Sequence, residues 1–204
     1  MNADNSTQHT IQQAPRTQPK IPRTIWVLVG AAFIIALGYG LIAPVLPQFA
    51  GSFGVSMAAA GAVISIFALA RLLGAPGAGR LVDRLGSRPI YLTGLLIVAG
   101  ATFLVAFVNA YWQILALRFI AGFGSTMFTL SAQALIVRVT HPSIRGRANA
   151  LYASAFLVGN VVGPIIGAAL SFLGFRAPFV IYGLAVAGAA VAVGGLTQPK
   201  PGSE

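Results

Sequence analysis

The chain has 204 residues and a formal net charge of +10, with hydrophobic residues making up 57% of it and charged residues 8%. A soluble domain carries roughly 25% charged residues, and one soluble core of this size could not bury so much apolar surface. The composition therefore excludes an ordinary soluble protein and indicates that the chain lies in lipid.

Residues 1–24 are predicted to form a disordered cytoplasmic tail, because this segment is polar and rich in Gln, Thr and Pro up to Pro22. The apolar run that follows is too long for the core of a signal peptide, and no small-residue cleavage site ends it. We therefore expect it to remain as a membrane span. Residues 197–204 are expected to be the start of a cytoplasmic linker or a truncated C-terminus.

Between these tails, residues 25–196 contain six apolar runs joined by short connections. Runs of about 20 apolar residues cross a bilayer as helices, because inside lipid every backbone polar group needs a partner within the protein. The sequence thus predicts an all-α polytopic membrane protein, a bundle of six transmembrane helices. The predicted spans, numbered one to six along the chain, are Ile25–Gln48, Ala58–Gly79, Ile90–Val108, Trp112–Val137, Ala148–Leu173 and Pro178–Leu196.

The basic residues outside the spans lie almost entirely on one side of the predicted bundle, and the loops of the other side carry only Arg176. Cytoplasmic loops are enriched in Lys and Arg, so we expect both termini in the cytoplasm and the protein in the cell (inner) membrane. A nucleic-acid surface is excluded, since it would gather these charges on one soluble face. The predicted cytoplasmic basic residues are Arg16, Lys20, Arg23, Arg80, Arg84, Arg88, Arg138, Arg145, Arg147 and Lys200.

An internal repeat emerges when the chain is shifted by about 88 residues. Three spans separate the two copies, so the second copy crosses the membrane in the opposite direction, as in transporters built from inverted three-helix repeats. Chance coincidence among abundant glycines is the alternative. The matching residues are Pro76, Gly79, Leu85, Gly86 and Arg88 in the first copy, and Pro164, Gly167, Leu173, Gly174 and Arg176 in the second.

The most informative segment is GRLVDRLGSR, residues 79–88, which concentrates charge in a predicted loop between spans two and three. Segment and position resemble the signature loop of major facilitator transporters, roughly G-x-L-x-D-R-x-G-R-R/K. Ser87 departs from the pattern, since a basic residue is common there. In that family the loop latches onto the other half of the transporter and stabilises its outward-facing state. The residues to which this role carries over are Gly79, Asp83, Arg84, Gly86 and Arg88.

Two further motifs are similar to the same family, most closely to its drug/proton antiporter branch. Span one ends in GLIAPVLPQF, with Pro44 and Pro47 near its outer end. Span five carries GNVVGPIIG, which resembles the antiporter motif of exporters and could bend the helix at its proline. The alternative is ordinary tight helix packing, which small residues at this spacing also permit. The antiporter-motif residues are Gly159, Gly163, Pro164 and Gly167.

Two arginines lie inside predicted spans, and an ionisable group at membrane depth is a functional candidate. Arg118, in RFIAGFGS of span four, matches a buried family arginine implicated in proton coupling, and it could also bind an anion. The structural alternative is that Arg118 extends toward the outer membrane surface. Arg71 of span two has no motif around it, so structural and functional roles stay open.

The resemblance implies that this chain is the N-terminal half of a twelve-helix transporter, with a natural six-span homodimer as the less favoured alternative. Spans one, two, four and five are expected to line a substrate cavity, with three and six packed outside. No Asp or Glu lies within a span, so a proton acceptor is expected in a second half. Cavity candidates, chosen by residue type and span, are Tyr39, Phe33, Phe128, Gln133, Tyr152 and Asn160.

The favoured function is proton-coupled secondary efflux of drug-like or amphipathic small molecules by alternating access. The alternatives are a transporter of sugars or organic anions and a non-transporting membrane scaffold. The expected partners are the lipid bilayer, a small-molecule substrate, protons and a second six-helix half. We expect no enzymatic activity and no cofactor. Cysteine is absent and His9 and His141 lie apart, so no metal site is predicted.

Overall fold

The computed structural model describes residues 20–196, so most of the predicted N-terminal tail and all of residues 197–204 lie outside the described part. Within it the chain is all-helical, and six helices are long and apolar enough to cross a membrane, as predicted. The helices are α1 (Arg23–Ile42), α2 (Val45–Gly51), α3 (Met57–Leu85), α4 (Ser87–Val105), α5 (Tyr111–Val139), α6 (Arg145–Ala169) and α7 (Ala177–Leu196).

Prolines shorten the first predicted span, which was wrong as a single helix over Ile25–Gln48. The helix α1 ends at Ile42, and the short α2 begins at Val45. Pro44 and Pro47 have no N–H to donate to the carbonyls of the preceding turn, so the ladder of helical hydrogen bonds is interrupted here. The fifth span likewise ends earlier than predicted, at Ala169, and a 3₁₀ turn over Ser171–Leu173 follows it.

The charged segment 79–88 is not a loop, contrary to the prediction. The helix α3 continues to Leu85, which places Asp83 in its last turn, and α4 begins two residues later at Ser87. The turn consists of Gly86, whose φ is 89° and whose N–H donates to the carbonyl of Val82 at 3.0 Å. Only glycine adopts this backbone conformation without strain, so the sharp reversal depends on this residue.

The six spanning helices pack with a pseudo-two-fold relation that agrees with the predicted inverted repeats. The most extensive pairings are α1 with α6, α4 with α5, α3 with α5, and α4 with α7, and α1 also packs against α7, the counterpart of the α4–α5 pair. In the repeat α1 corresponds to α5, α3 to α6 and α4 to α7. Exchanging the two copies therefore turns the α1–α6 pair into the α5–α3 pair and leaves the α4–α7 pair in place.

The repeated arginines make reciprocal contacts across the α4–α7 pair. Arg88, at the start of α4, donates from Nη2 to the carbonyl of Gly194 at the end of α7, at 2.8 Å. Arg176, just before α7, donates from Nη2 to the carbonyl of Val108 just beyond α4, at 3.3 Å. Cations near a helix C-terminus stabilise its carbonyl groups. Arg88 thus caps the end of α7, and Arg176 binds the segment that follows α4, so each arginine contacts the other repeat.

The ends of the bundle differ in charge. We define the basic end as the end that carries Arg84, Arg138 and Arg145, where α3 and α5 end and α6 begins. The opposite end holds the α1–α2 break and Arg176. The bundle therefore has a charge polarity along its axis.

Candidate functional site

A cavity of about 630 Å³ lies among the spanning helices. Its wall is formed mainly by α1, α3, α5 and α6, the four helices expected to line it. The other two helices do not lie wholly outside, because Val98 and Thr102 of α4 and Tyr182 of α7 also reach the wall. The hydroxyl of Tyr182 donates to the carbonyl of Ile35 at 3.2 Å, which ties α7 to α1 at this point.

The α1 wall is one face of the helix, formed by Ile35, Tyr39 and Ile42. Their spacing of four and three residues places them on a single stripe. Phe33, a predicted cavity residue, does not line the cavity; its backbone carbonyl lies against Gly159 of α6. Phe33 precedes Ile35 by two residues, which corresponds to a rotation of about 200° about the helix axis. Phe33 therefore lies on a different face.

The other five cavity candidates do line the cavity: Tyr39, Phe128, Gln133, Tyr152 and Asn160. Phe128 is held by an edge-on contact with Tyr91, with ring centroids 6.2 Å apart. The amide of Asn160 donates to the carbonyl of Phe156 on its own helix at 3.0 Å. The wall therefore combines aromatic surface with a few polar groups, which is typical of small-molecule sites.

Arg118 is enclosed at this site, with 6% of its side chain exposed. Its guanidinium carbon lies 4.2 Å from the ring centroid of Phe67 on α3, and its Nε has no hydrogen-bond partner in the part of the chain described. The side chain therefore does not extend to the membrane surface, the structural alternative raised by the sequence. A cation over an aromatic face is attracted by about 0.5–2 kcal/mol.

Gly122 brings Phe67 within reach of Arg118. A Cβ at this glycine of α5 would lie 2.6 Å from the carbonyl oxygen of Phe67 and 2.7 Å from the Cβ of Ala70. The missing side chain thus allows α5 to approach the backbone of α3 closely. This gives Gly122 a local role, because the close approach of α5 to α3 places Phe67 beside Arg118.

Arg71, whose role the sequence left open, lines the same cavity as Arg118. It lies four residues after Phe67, on the same face of α3, and its side chain is exposed. Its backbone carbonyl accepts a hydrogen bond from the hydroxyl of Thr126 on α5 at 3.1 Å. The spacing of Phe67 and Arg71 was visible in the sequence, but the position of Arg118 beside them was not.

The residues that line the cavity include no carboxylate. Asp83, the acidic residue of the described part, lies in the last turn of α3 at the basic end. Within residues 20–196 no group of three or more His, Cys, Asp or Glu could hold a metal ion. The charge of the cavity wall therefore comes from Arg71 and Arg118.

The glycines of α6 form a close backbone contact with α1. A Cβ at Gly159 would lie 2.7 Å from the carbonyl oxygen of Phe33, and a Cβ at Gly163 would lie 2.8 Å from both the Cα of Gly40 and the amide nitrogen of Leu41. A Cβ at Gly167 would likewise lie 3.0 Å from the carbonyl oxygen of Leu41. The sequence did not identify Gly40, which faces this surface from α1.

Pro164, the fourth antiporter-motif residue, lies within an α6 helix that runs uninterrupted over Arg145–Ala169. Its ring faces α1, since a Cβ at Gly40 would lie 2.9 Å from Pro164 Cδ. The motif is therefore the packing face of the α1–α6 crossing. The antiporter motif and ordinary tight helix packing, the two interpretations of the sequence, are both compatible with this geometry, because a packed glycine face and a proline occur together.

The latch residues at the basic end have different surroundings. Asp83 and Arg84 are exposed, and the Asp83 carboxylate forms no ion pair with a residue of the range 20–196. Arg88 instead bonds to α7, and Gly86 forms the turn. Gly79 has open space around its Cα. The exposed carboxylate is thus available for a contact beyond these residues.

Two helices expose an apolar surface larger than the rest. Among the six spanning helices, α6 and α3 are the least buried. In an apolar stretch of 18 residues, 22% of α6 and 28% of α3 is buried, compared with 56% of α1. Large aliphatic side chains make up this surface. They include Leu69, Leu72 and Leu73 of α3, and Leu157, Val161 and Ile165 of α6.

Comparison with known proteins gives a family match and many relatives. The sequence profile described as Major Facilitator Superfamily matches residues 28–204. The chain is similar to "Multidrug resistance protein MdtG" of Escherichia fergusonii and of Salmonella arizonae, with 34% identity over 167 residues in each case. These matches cover 79% of this chain and 41% of each relative. The chain thus spans about two fifths of the length of the curated relatives it matches.

Two solved structures share the fold. The human organic anion transporter MFSD10 (TETRAN) matches with a TM-score of 0.73 and 22% identity, over 85% of this chain and 47% of that structure. A peptide transporter POT variant in complex with sulfate matches with a TM-score of 0.78 and 16% identity, over 85% of this chain and 37% of that structure. At these identities the likeness concerns the six-helix architecture alone.

Proposed function

This chain belongs to the Major Facilitator Superfamily, and on that premise we propose that it is the N-terminal half of a secondary transporter that exports drug-like or amphipathic small molecules. The observation that carries the proposal is the cavity of about 630 Å³ at the crossing of the inverted repeats. Substrate paths of such transporters lie near the interface between repeats. The similarity to multidrug resistance proteins supports export.

Transport in energised membrane vesicles tests the proposal. Everted vesicles that contain the transporter are expected to accumulate a fluorescent amphipathic compound, and a protonophore is expected to abolish this accumulation. The protonophore result tests proton coupling separately. Accumulation that persists with the protonophore would support export and contradict proton coupling. Vesicles that contain well-expressed protein and accumulate nothing would favour a non-transporting scaffold.

A second six-helix half is the partner that the proposal requires. The exposed apolar surfaces of α3 and α6 support it, because they are the least buried of the spanning helices. The curated relatives are also more than twice as long as their match to this chain. We expect the downstream reading frame to encode six more apolar segments, with a carboxylate in a span as the proton acceptor. A reading frame that ends here would favour the homodimer.

Organic-anion transport is the second candidate function. It is favoured by one observation, the presence of Arg71 and Arg118 in a wall without a carboxylate. Export of amphipathic compounds and recognition of an anionic group are compatible, since an amphipathic compound can itself carry the negative charge. The charge preference of the cavity separates this candidate from transport of neutral or cationic compounds.

We propose that both termini face the cytoplasm, because almost all arginines outside the predicted spans lie at the basic end of the bundle. The chain has no cysteine, so single cysteines can report the orientation. Arg84→Cys at the basic end is expected to react with an impermeant maleimide only after the cells are permeabilised. Ser52→Cys at the opposite end is expected to react in intact cells, and the reverse result would invert the topology.

Asp83 is proposed to act as a latch between the two halves. Its position is locally unfavourable, because a negative charge near a helix C-terminus opposes the helix dipole by about 0.3–1 kcal/mol. Its carboxylate is exposed at the basic end. A contact with a second half would stabilise one state of a pair that differs by only a few kcal/mol, so a modest interaction is sufficient.

Replacing Asp83 tests this role. Asp83→Asn is expected to reduce the rate of transport severalfold while the amount of protein in the membrane stays unchanged. Asp83→Glu, which keeps the charge, is expected to retain most of the activity, and Arg80→Gln on the same helix serves as the control for a changed surface charge. Normal transport by well-expressed Asp83→Asn protein would contradict the latch.

A further inference from the structure

The cavity contains a positive charge that the described part of the chain does not neutralise. Arg118 is 6% exposed, and its Nε has no hydrogen-bond partner in residues 20–196. Its guanidinium carbon lies over the ring of Phe67, 4.2 Å from the ring centroid. The ring offers no oxygen or nitrogen acceptor, and Arg118 forms no hydrogen bond to a residue of the described part, so its terminal N–H groups can donate to a ligand.

A second positive charge lies on the same wall. Arg71 lines the cavity one helical turn beyond Phe67, and its side chain is exposed. Asp83 follows 12 residues later on α3, which is about 18 Å along the helix, and it does not line the cavity. Two arginines therefore line one cavity, to whose wall the described residues contribute no negative charge.

This arrangement favours an anionic ligand. An enclosed charge is costly unless it is paired, so a ligand that brings the opposite charge gains more here than at the protein surface. Guanidinium groups bind carboxylates through two parallel N–H···O bonds. An aromatic surface lies beside the charges, since the rings of Tyr39 and Phe67 are 5.9 Å apart and Phe128 also lines the cavity.

We propose that Arg118 and Arg71 form a subsite for the carboxylate of an amphipathic organic acid, whose apolar body packs against Tyr39 and Phe128. The inference rests on the proposed transport function and specifies its substrate class. A ligand with a cationic group is disfavoured at the same site, because it meets two like charges in a partly enclosed space.

Three probes that differ in one group test the subsite: 4-(trifluoromethyl)benzoate, the neutral 4-(trifluoromethyl)benzamide and the cation 4-(trifluoromethyl)benzylammonium. Their binding is measured by ¹⁹F line broadening on the full chain in phosphatidylcholine nanodiscs that hold one chain each. With one chain in each nanodisc, no carboxylate of a second half can neutralise the arginines. A preference for the acid then comes from this chain alone. We expect the acid to bind at least tenfold more tightly than the amide, and the cation to bind most weakly.

Variants assign the preference to the two arginines. Arg118→Gln is expected to remove the advantage of the acid over the amide, and Arg71→Gln is expected to reduce it severalfold. Arg80→Gln, an exposed residue of α3 outside the cavity, removes the same charge and is expected to leave the preference unchanged. Arg71 is exposed, so its variant tests the subsite even if the Arg118 variant fails to fold.

The outcomes separate this inference from the transport proposal. Equal binding of acid and amide, or an equal loss in the Arg80→Gln control, would overturn the subsite while leaving the cavity as a binding site for amphipathic compounds. Failure of all three probes to bind would overturn the subsite and also count against the cavity as a substrate site.

Discussion

Gly163→Ala is expected to destabilise the bundle by about 1–3 kcal/mol, the usual effect of forcing a methyl group into a closely packed interface. A Cβ at this position would lie 2.8 Å from the Cα of Gly40 and from the amide nitrogen of Leu41, and it would also contact the carbonyl of Leu37. All three are backbone atoms of α1. A backbone cannot move aside as a flexible side chain can, so the α1–α6 pair has to separate.

The matched control is the same substitution at Gly188 of α7, where nothing lies within 4 Å of an added Cβ. Alanine is a better helix former than glycine by about 0.8–1 kcal/mol, so Gly188→Ala is expected to leave the stability unchanged or to raise it. The two variants therefore carry the same chemical change and should move stability in opposite directions.

The measurement is unfolding of the detergent-purified protein, followed by helical circular dichroism as sodium dodecyl sulfate is added. A Gly163→Ala protein as stable as Gly188→Ala would show that the α1–α6 contact is looser than these distances indicate. Gly163→Val should then be measured as well. If the two helices are in close contact, the larger valine side chain cannot be accommodated and the bundle should lose more stability.

Arg118→Leu is expected to stabilise the folded protein while it reduces transport at least tenfold. Replacing buried charges with packed apolar residues is often neutral or stabilising by about 1–4 kcal/mol. The lost contact with Phe67 opposes this by about 0.5–2 kcal/mol. Relief of the unpaired charge outweighs the lost contact, since Nε of Arg118 has no partner among the described residues.

Opposite changes in stability and activity are typical of a residue kept for function rather than for folding. Unfolding of the purified variant and transport in vesicles measure the two effects on the same preparation. Arg118→Lys, which keeps the charge without the planar donors, is expected to recover only part of the activity. If stability and transport fall together in Arg118→Leu, the arginine is structural.

The motif residues show how far the sequence alone could predict the site. Residue type and span were sufficient to select Arg118 and five further residues that line the cavity, while their roles in transport stay predictions. Phe33 does not line the cavity, contrary to the prediction, and the role of Arg71 stayed open, because the positions of both side chains depend on the rotation of a helix about its axis. The segment 79–88 was expected to be a loop, because its charges resemble those of a polar connection.

The amino-acid sequence by itself determined the medium, the six spans and the inverted repeat. The reason is that lipid leaves every backbone polar group to be satisfied within the chain, so each long apolar run has to be a helix. Helix rotation and crossing were decided only by the tertiary structure. Lipid tails are as apolar as a protein interior, and hydropathy therefore does not distinguish the face of a helix that meets a neighbour from the face that meets the membrane.

The pairing of Arg118 with Phe67, the contact of Gly163 with Gly40 and the bond from Arg88 to α7 follow from that crossing geometry. Each of them joins residues that are far apart in the chain. They depend on the close approach of two backbones or on the position of a charged side chain. These contacts make the six spans a bundle with a cavity, and hydropathy contains no information about them.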